Sequence, residues 1–250
     1  IRSEVLNQVA YFLETQIQDF SKLISLEMGK PLSGAEAEIK KCSWVCRYYA
    51  ENAESFLAEK SLEADWDKSL VSFQPLGSVL GIMPWNFPFW QVFRFSVPAL
   101  MAGNAVVLKH AEKVSGCSLA IEKLFQQAGL PEDLFTSILV DKNRASFLTR
   151  HPLVRAVSLT GSTHAGREVA SLAWGLLKKT LLELGGSDAY VVLEDADLEK
   201  TVEACAKSRL LNSGQSCISA KRFIVHQKLI KDFQQQMREK LEQAVMGDPL

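Results

Sequence analysis

The chain has 250 residues, 47% of them hydrophobic and 23% charged, with a formal net charge of -1. This balance fits a soluble globular chain of one or two domains, with enough apolar side chains to bury a proper core. Acids and bases are interspersed, which excludes the footprint of a nucleic-acid binder and the basic cluster of a membrane-surface protein, and no apolar run approaches the roughly 20 residues that span a bilayer.

The first residues, "IRSEVLNQVA", do not have the form of a signal peptide. Cysteines at 42, 46, 117, 205 and 217 are odd in number, with no CxxC pair and no His partner at metal spacing. The expectation is a cytoplasmic protein with free thiols, no metal, no nucleic-acid or membrane partner, and a small ligand.

In chain order, "VLNQVAYFLETQIQDFSKLISLEMGK" spaces Val5, Val9, Phe12, Leu13, Ile17, Phe20 and Leu23 at threes and fours, which predicts one helix stopped by Gly29 and Pro31. A second helix is predicted through "GAEAEIKKCSWVCRYYAENAESFL", its mixed charges on a solvated face and Cys42 and Cys46 together on a packed one. After residue 68 come the apolar runs "SVLGIM", "NAVVLK", "FTSILV", "VRAVSLT" and "AYVVLE", separated by stretches of helical length. The predicted fold class is α/β, a parallel sheet with helices on both faces, and such sheets take ligands where their strands end.

Four segments carry candidate chemistry. In "GIMPWNFPFWQVFRF" two prolines bracket Trp85, Asn86 and Phe87, so Asn86 is either a structural turn residue or an amide donor for an oxyanion. In "LTGSTHAGREVA", Gly161, Thr163 and Gly166 have the spacing of a dinucleotide fingerprint with Thr at the middle glycine; an ordinary strand-to-helix turn capped by Ser162 or Thr163 explains it equally. "KKTLLELGGSDAYVVL" sets Glu183 in an apolar strand, where a buried carboxylate is either paired or raised in pKa as a general base. "LLNSGQSCIS" leaves Cys217 as a nucleophile or a small buried hydrophobe.

Together, "PWNFP", "LTGSTHAG", "LELGGSD" and "NSGQSC", with "LEMGKPL" and "GNAVVLKHAE", resemble the aldehyde dehydrogenase superfamily in order and interval across essentially the whole chain. The finer texture is similar to bacterial succinate semialdehyde dehydrogenases. The resemblance implies a Rossmann-like NAD(P)-binding domain over 1–184 and the first part of an α/β catalytic domain over 185–250. It implies Cys217 as nucleophile, Glu183 as general base and Asn86 as oxyanion donor, with the backbone N–H of Cys217 as the second donor. It places the cofactor, NAD or NADP, against Trp85, Lys109, Glu112, Gly161, Ser162, Gly166 and Leu184. A carboxylate at Glu112 would accept from ribose hydroxyls and repel a 2'-phosphate, favouring NAD, while Lys109 tolerates NADP.

Arg94 matches the arginine that binds the substrate carboxylate in that group, although the second basic residue expected before the motif Asn is Leu211 here, with Arg209 out of register. The implied activity is NAD(P)-dependent oxidation of an aldehyde, with succinate semialdehyde first. The alternatives are a general aliphatic aldehyde, with Arg94 then a structural cation, or an inactive nucleotide-binding fragment or paralogue. The chain corresponds to about half a subunit of such an enzyme, and the complete subunit would be a homo-oligomer.

Overall fold

The computed structural model describes residues 1–250. Its first 57 residues form three helices where the apolar spacing predicts two: α1 (Arg2–Thr15), α2 (Ile17–Met28) and α3 (Leu32–Leu57). The expected continuous first helix breaks at Gln16, whose φ of -107° and ψ of 21° lie outside the helical well. The Thr15 hydroxyl donates back to the Tyr11 carbonyl at 3.0 Å, the local bond by which Ser and Thr bend or end helices. Helix α2 ends as predicted at Gly29, which takes the left-handed φ of 77° that favours glycine.

After a short antiparallel pair, β1 (Lys60–Ser61) and β2 (Leu70–Val71), the chain alternates: β3 (Ser78–Ile82), α4 (Trp90–Met101), β4 (Ala105–Lys109), α5 (Ser115–Gln127), β5 (Phe135–Ser137), α6 (Ala145–Arg150), β6 (Val154–Thr160), α7 (Thr163–Trp174) and β7 (Lys179–Glu183). Strands β3 to β7 form one sheet in the order β5-β4-β3-β6-β7, and every pairing in it is parallel. Central β3 sets Leu80 opposite Val107 and Val157, so its apolar run is covered by backbone on both edges. Helices α1 to α5 bury one face, where Phe93, Phe125 and Phe135 stack in series. Helices α6 and α7 close the other around Leu80, Val157 and Ala173. Only glycine fits at position 81: a Cβ there would stand 2.0 Å from the Phe95 ring, so α4 rests directly on β3.

The run "AYVVLE" does not join this sheet. It forms β8 (Ala189–Val192), which pairs in parallel with β9 (Arg222–Val225); α8 (Leu198–Leu210) and α9 (Ile230–Glu242) pack on them over a small core of Val192, Val202, Cys205, Ala206, Phe233 and Met237. Strand β7 is therefore an edge, with Leu181 58% exposed. No helix is long and apolar enough to cross a membrane. The loops carrying Asn86, Glu112, Ser162 and Gly185 follow the carboxyl ends of β3, β4, β6 and β7, where a parallel sheet directs its ligands.

Candidate active site

Strand β3 runs into Met83–Phe89, and the far end of this loop is pinned by buried polar side chains. His110, just past β4, has Nε2 at 2.8 Å from the Pro88 carbonyl, and its Nδ1 accepts from the Ala111 N–H at 2.9 Å. That pattern assigns the neutral ring with hydrogen on Nε2, and burial lowers the imidazole pKa accordingly. Glu38 of α3 accepts from the N–H groups of Phe89 and Trp90, each at 2.8 Å, and pairs with Lys30. Burial is the first influence on its carboxyl and raises its pKa, while Lys30 and the two amides oppose this. The sequence reading put the charges of α3 on a solvated face. Glu38 lies four residues before Cys42 on the buried stripe, and that phase was the signal to notice.

The Cys217 loop starts where α8 ends. Asn212 and Ser213 both take φ of 56° and Gly214 a φ of 74°, three left-handed residues in succession. Each non-glycine member costs about 1–3 kcal/mol, so neighbours must enforce the shape. Asn212 Nδ2 donates to the Asn86 carbonyl at 2.6 Å, Asn86 Nδ2 donates to the Gln215 carbonyl at 2.8 Å, and Arg209 donates to Gly214 at 2.9 Å and Ala220 at 3.3 Å. The two predicted loops are thus laced together, 129 residues apart in sequence. Arg209, offered above as a basic residue out of register, is used up holding the turn. Lys221 spans to the carbonyls of Gly186 and Cys217, joining the loop after β7 to the same turn.

Cys217 is half-buried, whereas Cys42, Cys46, Cys117 and Cys205 are buried, and burial pushes all four of those thiols up. Cys42 and Cys46 sit in the main core, as packing rather than as a redox pair. The N–H of Cys217 has no acceptor within the chain. Cys217 opens into a cavity of about 710 Å³ with Phe87, Gln91, Arg94, Lys207 and Leu211 on its walls. Lys207 was not anticipated; it lies one helical turn before Leu211 and brings a second cation to the rim.

Within these 250 residues Glu183 ends strand β7, at the edge of the sheet, with its side chain 51% exposed. The apolar run identified the strand, and burial depends on what covers it. Glu183 Oε2 lies 3.5 Å from Arg94, which also donates to the Thr160 hydroxyl at 3.2 Å. The residues expected as base and as substrate cation are therefore neighbours.

On the α7 side of the sheet a groove of about 840 Å³ is lined by Lys109, Lys142, Arg150, His164, Glu168 and Leu172, among others. Lys109 is 6% exposed and donates to the His110 carbonyl. Ser162 caps α7, accepting from Ala165 at 3.1 Å, which satisfies the capping half of the reading and leaves the Thr163 and His164 amides for a ligand. A Cβ on Gly166 would meet Leu184 at 2.6 Å, so this glycine serves close helix–strand packing, while Gly161 has room for one. Trp85 is 37% exposed. Glu112 is exposed and outside the groove's lining. Lys109 and a helix N-terminus at the carboxyl ends of parallel strands, with Lys142 and Arg150 further along the groove, fit a phosphate-bearing dinucleotide.

The aldehyde dehydrogenase family model matches residues 1–250. The chain belongs to the aldehyde dehydrogenase family. This family member is 48% identical over 248 residues to a probable NADP(+) succinate-semialdehyde dehydrogenase of Synechocystis sp., covering 99% of this chain and 55% of the relative. It is 44% identical over 251 residues to the NADP(+) succinate-semialdehyde dehydrogenase of Mycobacterium leprae, again with 99% and 55% coverage. The crystal structure of succinic semialdehyde dehydrogenase from Streptococcus pyogenes with NADP+ superposes with a TM-score of 0.97 at 35% identity, over 100% of this chain and 55% of that one. This chain thus spans about half the length of the relatives it matches.

Proposed function

We propose that this aldehyde dehydrogenase family member contributes the cofactor groove and the acylating cysteine for NAD(P)-dependent oxidation of an aldehyde, with succinate semialdehyde the substrate. The observation that carries the reading is the lacing of Asn86 to the Cys217 loop beside a cavity that also holds Arg94. Residues 1–184 form the dinucleotide-binding part and 185–250 begin the catalytic part.

The Cys217 thiolate adds to the aldehyde carbon, and the oxyanion takes hydrogen bonds from the second Asn86 N–H and the free Cys217 N–H. When bound, the nicotinamide supplies the hydride acceptor. Glu183 then takes a proton from the water that cleaves the Cys217 thioester. Arg94 binds the distal carboxylate, aided by Lys207 at the rim; this requires the carboxylate to displace Glu183 from Arg94, a half-exposed pair of small net worth. The NAD preference expected from Glu112 lacks support, since Glu112 stands outside the groove and the relatives are named for NADP(+).

Intact mass after brief incubation with succinate semialdehyde and NADP tests the reading: an acyl adduct that maps to Cys217 and is absent in Cys217→Ala supports it, and no adduct on the wild type refutes it. The Arg94–Glu183 pair favours a second reading, in which Arg94 is structural and the substrate an aliphatic aldehyde. Arg94→Ala separates the two. Selective loss for acidic aldehydes, tenfold or more by the general worth of a charged hydrogen bond, supports the first; equal loss for both substrate types supports the second.

A further inference from the structure

Two buried ionisable groups have no part in the chemistry above. The side chains of Lys30 and Glu38 are each 1% exposed and form an ion pair in the wall of the Cys217 cavity. Burying both charges is expensive, and apolar residues of similar volume would usually hold a core as well. The pair therefore points to a role in placement. Oε2 of Glu38 faces Lys30, and Oε1 takes the N–H groups of Phe89 and Trp90, both at 2.8 Å. Those amides open α4, whose N-cap residue, Phe89, has no side-chain acceptor to offer. Lys30 also stands 4.3 Å from the centre of the Phe87 ring. Phe87 and Phe89 flank Pro88 immediately after Asn86, and proline restricts the backbone on both sides. Glu38 thus fixes the chain three and four residues past Asn86.

We propose that Glu38, paired with Lys30, is a positioning residue for Asn86, acting through Phe89 and Trp90 to hold the carboxamide over Cys217. The inference rests on the reading of Asn86 as oxyanion donor. Both carboxylate oxygens of Glu38 are taken by Lys30 and the two amides, and what matters is the acceptor oxygen.

The test uses charge-neutral pairs, so that no buried charge is left alone. Lys30→Met with Glu38→Gln keeps an acceptor for both amides. Lys30→Met with Glu38→Leu removes it. The glutamine pair retains Cys217 acylation within about threefold of wild type, and the leucine pair loses about tenfold or more, a part of the 10²–10³ that one oxyanion donor carries. NADP binding, read by tryptophan quenching, is unchanged in both. In an Asn86→Ala background the glutamine and leucine pairs react alike, because the group being positioned is gone. Equal rates for the two pairs with Asn86 present, or an undiminished difference with Asn86 removed, would overturn the proposal.

If the leucine pair does not fold, the glutamine pair decides alone: a loss beyond tenfold refutes an acceptor role. If the wild type itself does not acylate, the functional reading fails separately. Placement is then read from the Asn86 side-chain amide by NMR, which stays sharp in the glutamine pair and broadens in the leucine pair; no difference between them overturns the proposal.

Discussion

Replacing Asn86 tests whether its carboxamide is a donor to the reacting oxygen or only a staple between loops. Its Nδ2 carries two hydrogens, of which one goes to the Gln215 carbonyl at 2.8 Å. Asn86→Ala deletes both. The staple contributes about 1 kcal/mol of stability, the net worth of a half-buried neutral hydrogen bond. The free hydrogen, if it meets the oxyanion, contributes about 2.7–4 kcal/mol in the transition state, or about 10²–10³ in rate. Asn86→Asp keeps the shape but sets a carboxylate oxygen against the Gln215 carbonyl and a negative charge beside the forming oxyanion, so it is slower than the alanine variant. Rapid-quench mass spectrometry of the Cys217 adduct, with urea unfolding alongside, gives both quantities. The expected order is Asn, then Ala, then Asp. An aspartate variant as fast as wild type, or an alanine variant within about threefold of it, would show that the carboxamide is a staple alone.

Glu183→Gln leaves acylation intact and slows hydrolysis, so the thioester accumulates and is seen by mass; normal turnover would remove Glu183 as base. Lys109→Ala weakens NADP more than NAD in a fluorescence titration, because its buried ammonium lines the groove, whereas Glu112→Ser leaves the NAD to NADP ratio within about twofold; a large shift from Glu112→Ser would restore that residue to the cofactor site. His110 is buried and neutral, with its pKa below the ordinary 6.5. Below pH 6.5 the unfolded chain binds a proton the folded one does not, so unfolding free energy falls as pH drops through that window, by at most about 1.4 kcal/mol per pH unit. Denaturation across this range should show a shallower slope for His110→Gln, and identical slopes would refute the neutral assignment.

Period and punctuation in the sequence determined the parallel α/β class, the positions of β3 to β7 and the four motif loops, since apolar repeats and Gly or Pro stops act locally. Gly29 ended its helix where the pattern put it, and Asn86 and Cys217, far apart in the chain, were found on facing loops. The break at Gln16 was hidden, because the apolar spacing carries across it and only a Thr15 side-chain bond marks it. Burial was less legible. Glu183 reads as enclosed from its neighbours Leu181 and Leu182, and its exposure within these 250 residues follows from the place of β7 at the edge of the sheet. The same physics works in reverse for Glu38, which reads as a surface charge and lies in the core, paired with Lys30, because helix α3 turns that stripe toward the first turn of α4. Residue identity and local period are written in the chain; which groups meet, and which of them lose water, is decided when distant elements pack.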